Sequence, residues 1–338
     1  MTALRWGIVG TGLIADMMAK DLARSTERGD HVVAAVGSRS QESADRFGDA
    51  HGVPAGHRHA SYAQLVADDT VDVVYVATPH PMHLADATLA LNAGKHVLVE
   101  KAFTMNAAQA RELVALATEK NLFCMEAMWS RFLPHTVRIR EILASGALGR
   151  IEQVTADHGQ WFPSDPAFRL FAPELGGSAL LDLGVYPVSF ASMVFGGAQP
   201  ERLVTMVDPA FNGLVDGQTN MLFGYSEGAQ AILSCTSGAK TATRASIVGT
   251  EGRIEIDPNF YEPTSFTIHP RGGEPVTETL PFEGRGMVYQ ADEVKRCLEQ
   301  GWIESDVLSL TETVHIMETM DAVLADAGLP VDPAVLGG

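Results

Sequence analysis

Cysteine is scarce. The three present (Cys124, Cys235 and Cys297) are far apart in 338 residues and show no C-x-x-C spacing. That excludes a disulfide framework and a cysteine-pair zinc motif, and points to a reducing compartment. Basic residues are also few: 24 Lys and Arg stand against 42 Asp and Glu, a formal charge of −18. A field of that sign opposes nucleic-acid phosphates and anionic lipid heads, so neither is expected as a partner, although a local basic pocket can still hold one phosphorylated cofactor. No run approaches the roughly 18 uninterrupted apolar residues of a membrane span. Residues 1–9 lead straight into a strand pattern with no charged, cleavable leader, so a cytoplasmic location is expected. Apolar residues, in contrast, make up 46% of the chain and charged ones only 20%, which is ample for folded cores. The length is about twice what one core organises, which predicts two domains.

Residues 1–125 alternate short apolar runs (4–9, 32–36, 71–77, 96–99 and 122–125) with helical patterns (13–24, 40–50, 81–93 and 106–120, the last opening on Asn106). Strands without clean alternation are buried on both faces, and strand–helix–strand order builds a doubly wound parallel sheet of the Rossmann type. From 126 to 338 the texture changes. After a helix near 134–145, strand-like runs follow at 151–160, 202–207, 218–225, 229–236, 243–248, 252–256, 264–269 and 276–280, with turn signals such as Glu227-Gly228 between several of them. This predicts an α+β domain on a large, mainly antiparallel, open-faced sheet, interrupted by a helix at 178–195 and closed by helices near 287–300 and 304–327.

The first strand ends in Gly10-Thr11-Gly12-Leu13-Ile14-Ala15, a G-x-G-x-x-A turn opening a helix. Gly10 permits the tight turn, Gly12 lets a pyrophosphate reach backbone N–H groups, and Ala15 lets the helix sit close to the sheet. The context of strand, turn and helix is what gives this short pattern weight. An enzyme that prefers NAD usually carries an acid at the end of the second strand. Here the strand ends Val36-Gly37-Ser38-Arg39-Ser40, with no acid before Glu42. Ser38 and Arg39 suit a 2′-phosphate, so NADP is predicted, with NAD the alternative and a solvated loop arginine the plain reading of Arg39.

The strand at 96–99 leads into Glu100-Lys101-Ala102. Ligands of an open parallel sheet lie beyond the carboxyl ends of its strands, which puts Lys101 where a nicotinamide would lie. A lysine there can bond a substrate hydroxyl and exchange a proton. Thr78-Pro79-His80 should border the same crevice. His80 and His83 have metal-motif spacing, yet no carboxylate or cysteine joins them, so they are expected to line the cofactor groove and no metal is predicted. Farther on, Gly176-Gly177 opens a helical run in which Asp182 and Tyr186, four apart, share a face. Asp182 amid leucines could instead be satisfied by a cap or an arginine, and Tyr186 could be a core aromatic.

These motifs together, with Ile247-Val248-Gly249-Thr250-Glu251-Gly252 in the second domain, resemble the Gfo/Idh/MocA oxidoreductase family over nearly the whole chain. The run from Met125 to Phe132 is similar to the branch of dimeric dihydrodiol dehydrogenases and NADP-dependent D-xylose dehydrogenases. One departure is Ala102, where the family usually carries proline, often with a cis bond. The resemblance implies hydride transfer between NADP and a secondary alcohol of a sugar, polyol or trans-dihydrodiol. It implies Thr78, Pro79, Glu100 and Lys101 as cofactor contacts, and Lys101, Asp182 and Tyr186 as catalytic residues. Homodimers or homotetramers would form through the second-domain sheet. Trp129, Arg131, His158, Trp161 and Phe162 are candidates for the pocket wall. The alternatives are an NAD-linked inositol or sugar dehydrogenase and a non-catalytic nucleotide-binding regulator.

Overall fold

A computed structural model describes residues 3–26 and 29–329. Six strands, β1 (Leu4–Val9), β2 (His31–Gly37), β3 (Arg58–His59), β4 (Val73–Val76), β5 (His96–Glu100) and β6 (Cys124–Ala127), form one sheet in the order β3-β2-β1-β4-β5-β6. Every neighbouring pair is parallel. The apolar runs are buried on both faces, as expected of strands covered by crossover helices. The order reverses between β1 and β4, which makes the ends of those strands the switch point where such sheets bind ligands. β3 and the helix Tyr62–Val66 are additions to the expected elements. The helix starts on Ser61, whose hydroxyl accepts from the backbone N–H of Gln64 at 3.2 Å.

A second sheet holds β7 (Ile151–Gly159), β8 (Arg202–Pro209), β9 (Asp216–Gly224), β10 (Gln230–Thr236), β11 (Ala245–Gly249), β12 (Gly252–Ile256), β13 (Ser265–Pro270) and β14 (Val276–Thr279). The order is β14-β13-β12-β11-β7-β10-β9-β8, antiparallel except where β7 and β10 run parallel. Along β9, Thr219, Met221 and Phe223 are buried while Asn220 and Leu222 are exposed, the period-2 signature of a sheet packed on one face only. The expected helix at 178–195 begins as a π-turn, Leu180–Gly184, and continues as an α-helix, Val185–Val194. The stretch Pro173–Val194 is apolar enough to cross a membrane, but 89% of its apolar window is buried inside the protein, as in a core helix.

The chain divides into two compact units. One comprises residues up to Thr104, Ala108–Trp129 and Phe282–Thr313; the other comprises Met105–Ala107, Ser130–Pro281 and Val314 onward. The sequence division into 1–125 and 126–338 therefore misses the return of Phe282–Thr313 to the first unit. The physical reason is polar. Asp21 accepts from the backbone N–H groups of Arg285 and Met287 ahead of the helix Val288–Glu299, Lys295 pairs with Asp30 at 2.6 Å, and His31 bonds Asp292 at 2.9 Å. The last helix, Leu310–Asp326, begins later than the expected 304, because Ser309 caps it by accepting from the N–H of Glu312.

Candidate active-site residues

In the first unit, β1 hands the chain to the helix Leu13–Thr26 through the glycine turn. Gly10 has φ +98° and sits against the end of β4: a Cβ there would lie 3.0 Å from the carbonyl oxygen of Ala77. Only glycine combines that left-handed backbone with that approach. A Cβ on Gly12 would meet nothing within 4 Å, so open space lies over the turn, and the first N–H groups of the helix have no partners within the helix itself. Leu13 is 72% exposed beside this space and Ile14 half-buried. The hydroxyl of Thr11 lies 3.4 Å from that of Ser38. Ser38 is buried, its N–H donating to His59 O at 3.0 Å, while Arg39 is exposed and makes no ion pair among the described residues. Glu42 lies on the next helix, 3.9 Å from Arg46. Donors without an acid at the end of β2, an open cradle and a helix N-terminus fit a phosphorylated dinucleotide.

The loop after β5 is tightly braced. The Lys101–Ala102 peptide is cis although residue 102 is not proline. Glu100, expected among the cofactor contacts, is buried: it accepts from the Tyr75 hydroxyl and from the N–H of Lys101. His83, expected in the groove, is fully buried, with ring nitrogens 2.8 Å from Thr78 O and 3.0 Å from Ala102 O. Burial pushes its pKa down. His80 Nε2 lies 3.1 Å from Lys101 O. These three side chains hold the ends of β4 and β5 in place. Thr78 donates to Asp86 at 2.8 Å, Pro79 is exposed, and Lys101 is half-buried beyond the strand end. Trp129 is buried in this unit with the Arg285 guanidinium 5.7 Å from its ring.

In the second unit, the π-turn presses on β10 through Gly184, where a Cβ would lie 2.9 Å from the Cys235 sulfur. Its first N–H groups are held by Asp216, which accepts from Leu180 N at 2.6 Å, and by the Ser178 hydroxyl, which accepts from Leu181 N. Burial raises the Asp216 pKa, opposed by the hydrogen bonds its carboxylate accepts from the Ser178 hydroxyl and from backbone N–H groups including that of Leu180. Asp182 is buried, and its two oxygens each lie 3.1 Å from Nη2 of Arg169, a half-exposed residue that the sequence reading missed. Tyr186 sits in an aromatic box: its ring centroid is 5.2 Å from that of His158 and 4.7 Å from that of Tyr261, while His158 and Tyr261 stack at 4.3 Å. Gln160 Nε2 donates to His158 Nε2 and to the Tyr261 hydroxyl, and His158 Nδ1 faces Leu183 O. Tyr261 and Gln160 carry no motif. Arg131 is buried and donates to the hydroxyl and the carbonyl of Ser189 at 2.9 and 2.7 Å, bonds that anchor the helix Val185–Val194. Trp161 is 64% exposed, and Phe162 packs on Leu170 and Phe171.

A parallel sheet of this order with this glycine turn, followed by a separate sheet domain, defines a dinucleotide-binding protein with a Rossmann domain. Residues 4–128 match the oxidoreductase family with an NAD-binding Rossmann fold, and residues 136–255 match the GFO/IDH/MocA C-terminal domain. The chain belongs to the Gfo/Idh/MocA family. It is 38% identical to a trans-1,2-dihydrobenzene-1,2-diol dehydrogenase of Xenopus laevis, covering 97% of this chain and 99% of the relative. A D-xylose 1-dehydrogenase (NADP+) of Hypocrea jecorina is 36% identical, over 96% of this chain and 92% of the relative. Among solved structures, an aldose-aldose oxidoreductase of Caulobacter crescentus in complex with glycerol aligns with a TM-score of 0.85 at 26% identity, covering 96% and 98% of the two chains. The protein is thus a dehydrogenase of this family with an NAD(P)-binding domain.

Proposed function

We propose that the enzyme uses NADP to oxidise, reversibly, a secondary alcohol on a sugar, polyol or trans-dihydrodiol. The observation that carries this reading is the phosphate-accepting set of the first unit: the open Gly10–Gly12 turn at a helix N-terminus, with Ser38 and an exposed Arg39 where an NAD enzyme would place an acid. The relatives named for a dihydrodiol and for D-xylose support the substrate class. When bound, the cofactor supplies the hydride acceptor. The protein aligns the substrate carbon and manages one proton. In this reading Lys101 and Tyr186 handle that proton, Asp182 orients the substrate hydroxyl, and Arg169 pairs with Asp182 at 3.1 Å and holds it in place. The Tyr186 ring is held by His158 and Tyr261.

Self-association through the second sheet belongs to the same proposal. Its outer face exposes Val204 and Met206 on β8, Leu222 on β9 and Ile232 on β10, an apolar surface of the kind buried against a copy. The buried thiols of Cys124, Cys235 and Cys297 fit a cytoplasmic setting. The direct test is a substrate screen. D-xylose, other aldoses and trans-1,2-dihydrobenzene-1,2-diol are offered with NADP+ and with NAD+, and the absorbance of reduced nicotinamide is followed. Turnover with NADP+ on at least one of them is expected. Cofactor binding without turnover on any would favour the regulatory alternative.

A further inference from the structure

A separate side-chain cluster in the first unit joins His57, His59 and Asp68. His57 closes the 3-10 turn Ala55–His57 and His59 belongs to the edge strand β3. Residues two apart in extended chain share a side. Arg58, between them, turns the other way, donating to Val53 O and pairing with Asp49 at 2.6 Å. The two imidazoles converge on one carboxylate oxygen: His57 Nδ1 is 2.7 Å and His59 Nε2 is 2.8 Å from Asp68 Oδ2. All three candidate ligand atoms lie within 4.8 Å of one another. The second oxygen, Oδ1, accepts from both the N–H and the hydroxyl of Thr70, at 2.9 and 2.6 Å. The Asp68 side chain is 6% exposed and that of His57 is 34% exposed.

We propose that His57, His59 and Asp68 form a binding site for a divalent first-row metal ion of the zinc class. Two imidazoles and one carboxylate are the ligand types such ions take, with water completing a tetrahedron. Thr70 fixes the carboxylate from behind, as an outer-shell partner does. His57 at the surface provides the entry path. Each imidazole now points a ring nitrogen at Oδ2; moving a ring proton to the opposite nitrogen leaves a lone pair facing the ion. Zinc–ligand bonds of about 2.0–2.2 Å at tetrahedral angles separate ligand atoms by roughly 3.3–3.5 Å. The histidines must therefore back away from Oδ2 by about 0.6 Å, a small side-chain rotation at the surface. Of two nearby cations, Lys95 has its ammonium held by the backbone oxygens of Asp68 and Val71, and Arg5 is paired with Asp72. The ion would tie a two-residue edge strand to the turn after Tyr62–Val66.

The test uses the full chain without any histidine tag, stripped with chelator and titrated with ZnCl2 in a calorimeter. One ion per chain is expected, together with a rise in melting temperature by mass action. His57→Ala and His59→Ala should each weaken binding by more than about tenfold, and the double variant should lose both the heat and the melting shift. Co2+ on the unmodified protein should give the intense visible absorption of a tetrahedral centre, a readout that does not depend on any variant folding. Absence of heat, melting shift and Co2+ band in the unmodified protein would overturn the proposal. So would a folded double variant that binds as tightly as the parent.

Discussion

Replacing Arg39 with alanine isolates the choice of cofactor. The guanidinium is exposed and makes no ion pair among the described residues, so its charge is available to a ligand. Ser38, buried and tied to β3 through His59 O, supplies a fixed donor beside it. A 2′-phosphate carries nearly two negative charges. At 4 Å in a water-like dielectric each contributes about 1 kcal/mol, and a charge-assisted hydrogen bond contributes about 1.5–3 kcal/mol, before the discount that exposed pairs suffer from solvent and side-chain entropy. A net loss of about 1.5–3 kcal/mol corresponds to roughly 10–100-fold weaker binding. The assay is fluorescence titration with NADPH and with NADH. Arg39→Ala should weaken NADPH by that factor and NADH by no more than about twofold, the remainder of any stacking on adenine. Raising the salt should weaken NADPH binding more in the parent than in the variant. Equal loss for both cofactors, or none for either, would refute the reasoning.

Lys101→Met and Tyr186→Phe should each lower turnover by around 10²–10⁴-fold if the proton step is exposed, with cofactor binding retained by fluorescence; near-normal turnover of Tyr186→Phe across the pH range would make the tyrosine a packing residue. Charging the outer sheet face with Met206→Glu and Ile232→Glu should convert an oligomer to a monomer in sedimentation at micromolar concentration, whereas a parent protein that is already monomeric would remove the self-association proposal. Gly184→Ala should cost about 1–3 kcal/mol in denaturant unfolding, because its Cβ would meet the Cys235 sulfur at 2.9 Å and Leu180 Cδ1 at 2.8 Å. Burial pushes the His135 pKa down to about 4, against a hydrogen bond to Phe260 O that raises it. The unfolded chain then binds the extra proton first, so this contribution is complete above about pH 6.5 and lost as pH falls toward 4, by up to about 3 kcal/mol. His135→Gln should flatten that acid limb in urea unfolding at pH 7 and 4.5; an unchanged slope would assign it to other groups.

Local pattern carried most of the first sheet. Continuous apolar runs such as 71–77 and 96–99 announced buried parallel strands, and Gly10-x-Gly12 announced the turn, because both signals are set by neighbours in the chain. The return of Phe282–Thr313 was not legible. It depends on Asp21 capping backbone 264 residues away, and no spacing rule encodes such a contact. The capping pattern Ser61-x-x-Gln64 was present and passed over, and with it the helix behind Asp68. For the candidate site, residue type, position and the family resemblance singled out Lys101, Asp182 and Tyr186 as candidates, whereas Arg169, Gln160 and Tyr261 reach Asp182, His158 and Tyr186 only through tertiary packing. Glu100, His80 and His83 stand where the sequence put them, at the strand ends. Their polar atoms nevertheless serve the loops, because buried charged and imidazole groups must find partners and the nearest were Tyr75 and backbone carbonyls.

The central claim, direct hydride transfer between NADP and a secondary alcohol, is tested most directly by isotope. The alcohol that turns over, D-xylose deuterated at C1 or the dihydrodiol deuterated at its carbinol carbons, is oxidised with NADP+, and the reduced cofactor is recovered for NMR and mass spectrometry. Deuterium should appear at C4 of the nicotinamide, on one face and in proportion to product, and the rate of its appearance should fall with Lys101→Met. Reduced cofactor free of deuterium, or product formed without reduced cofactor, would contradict the claim.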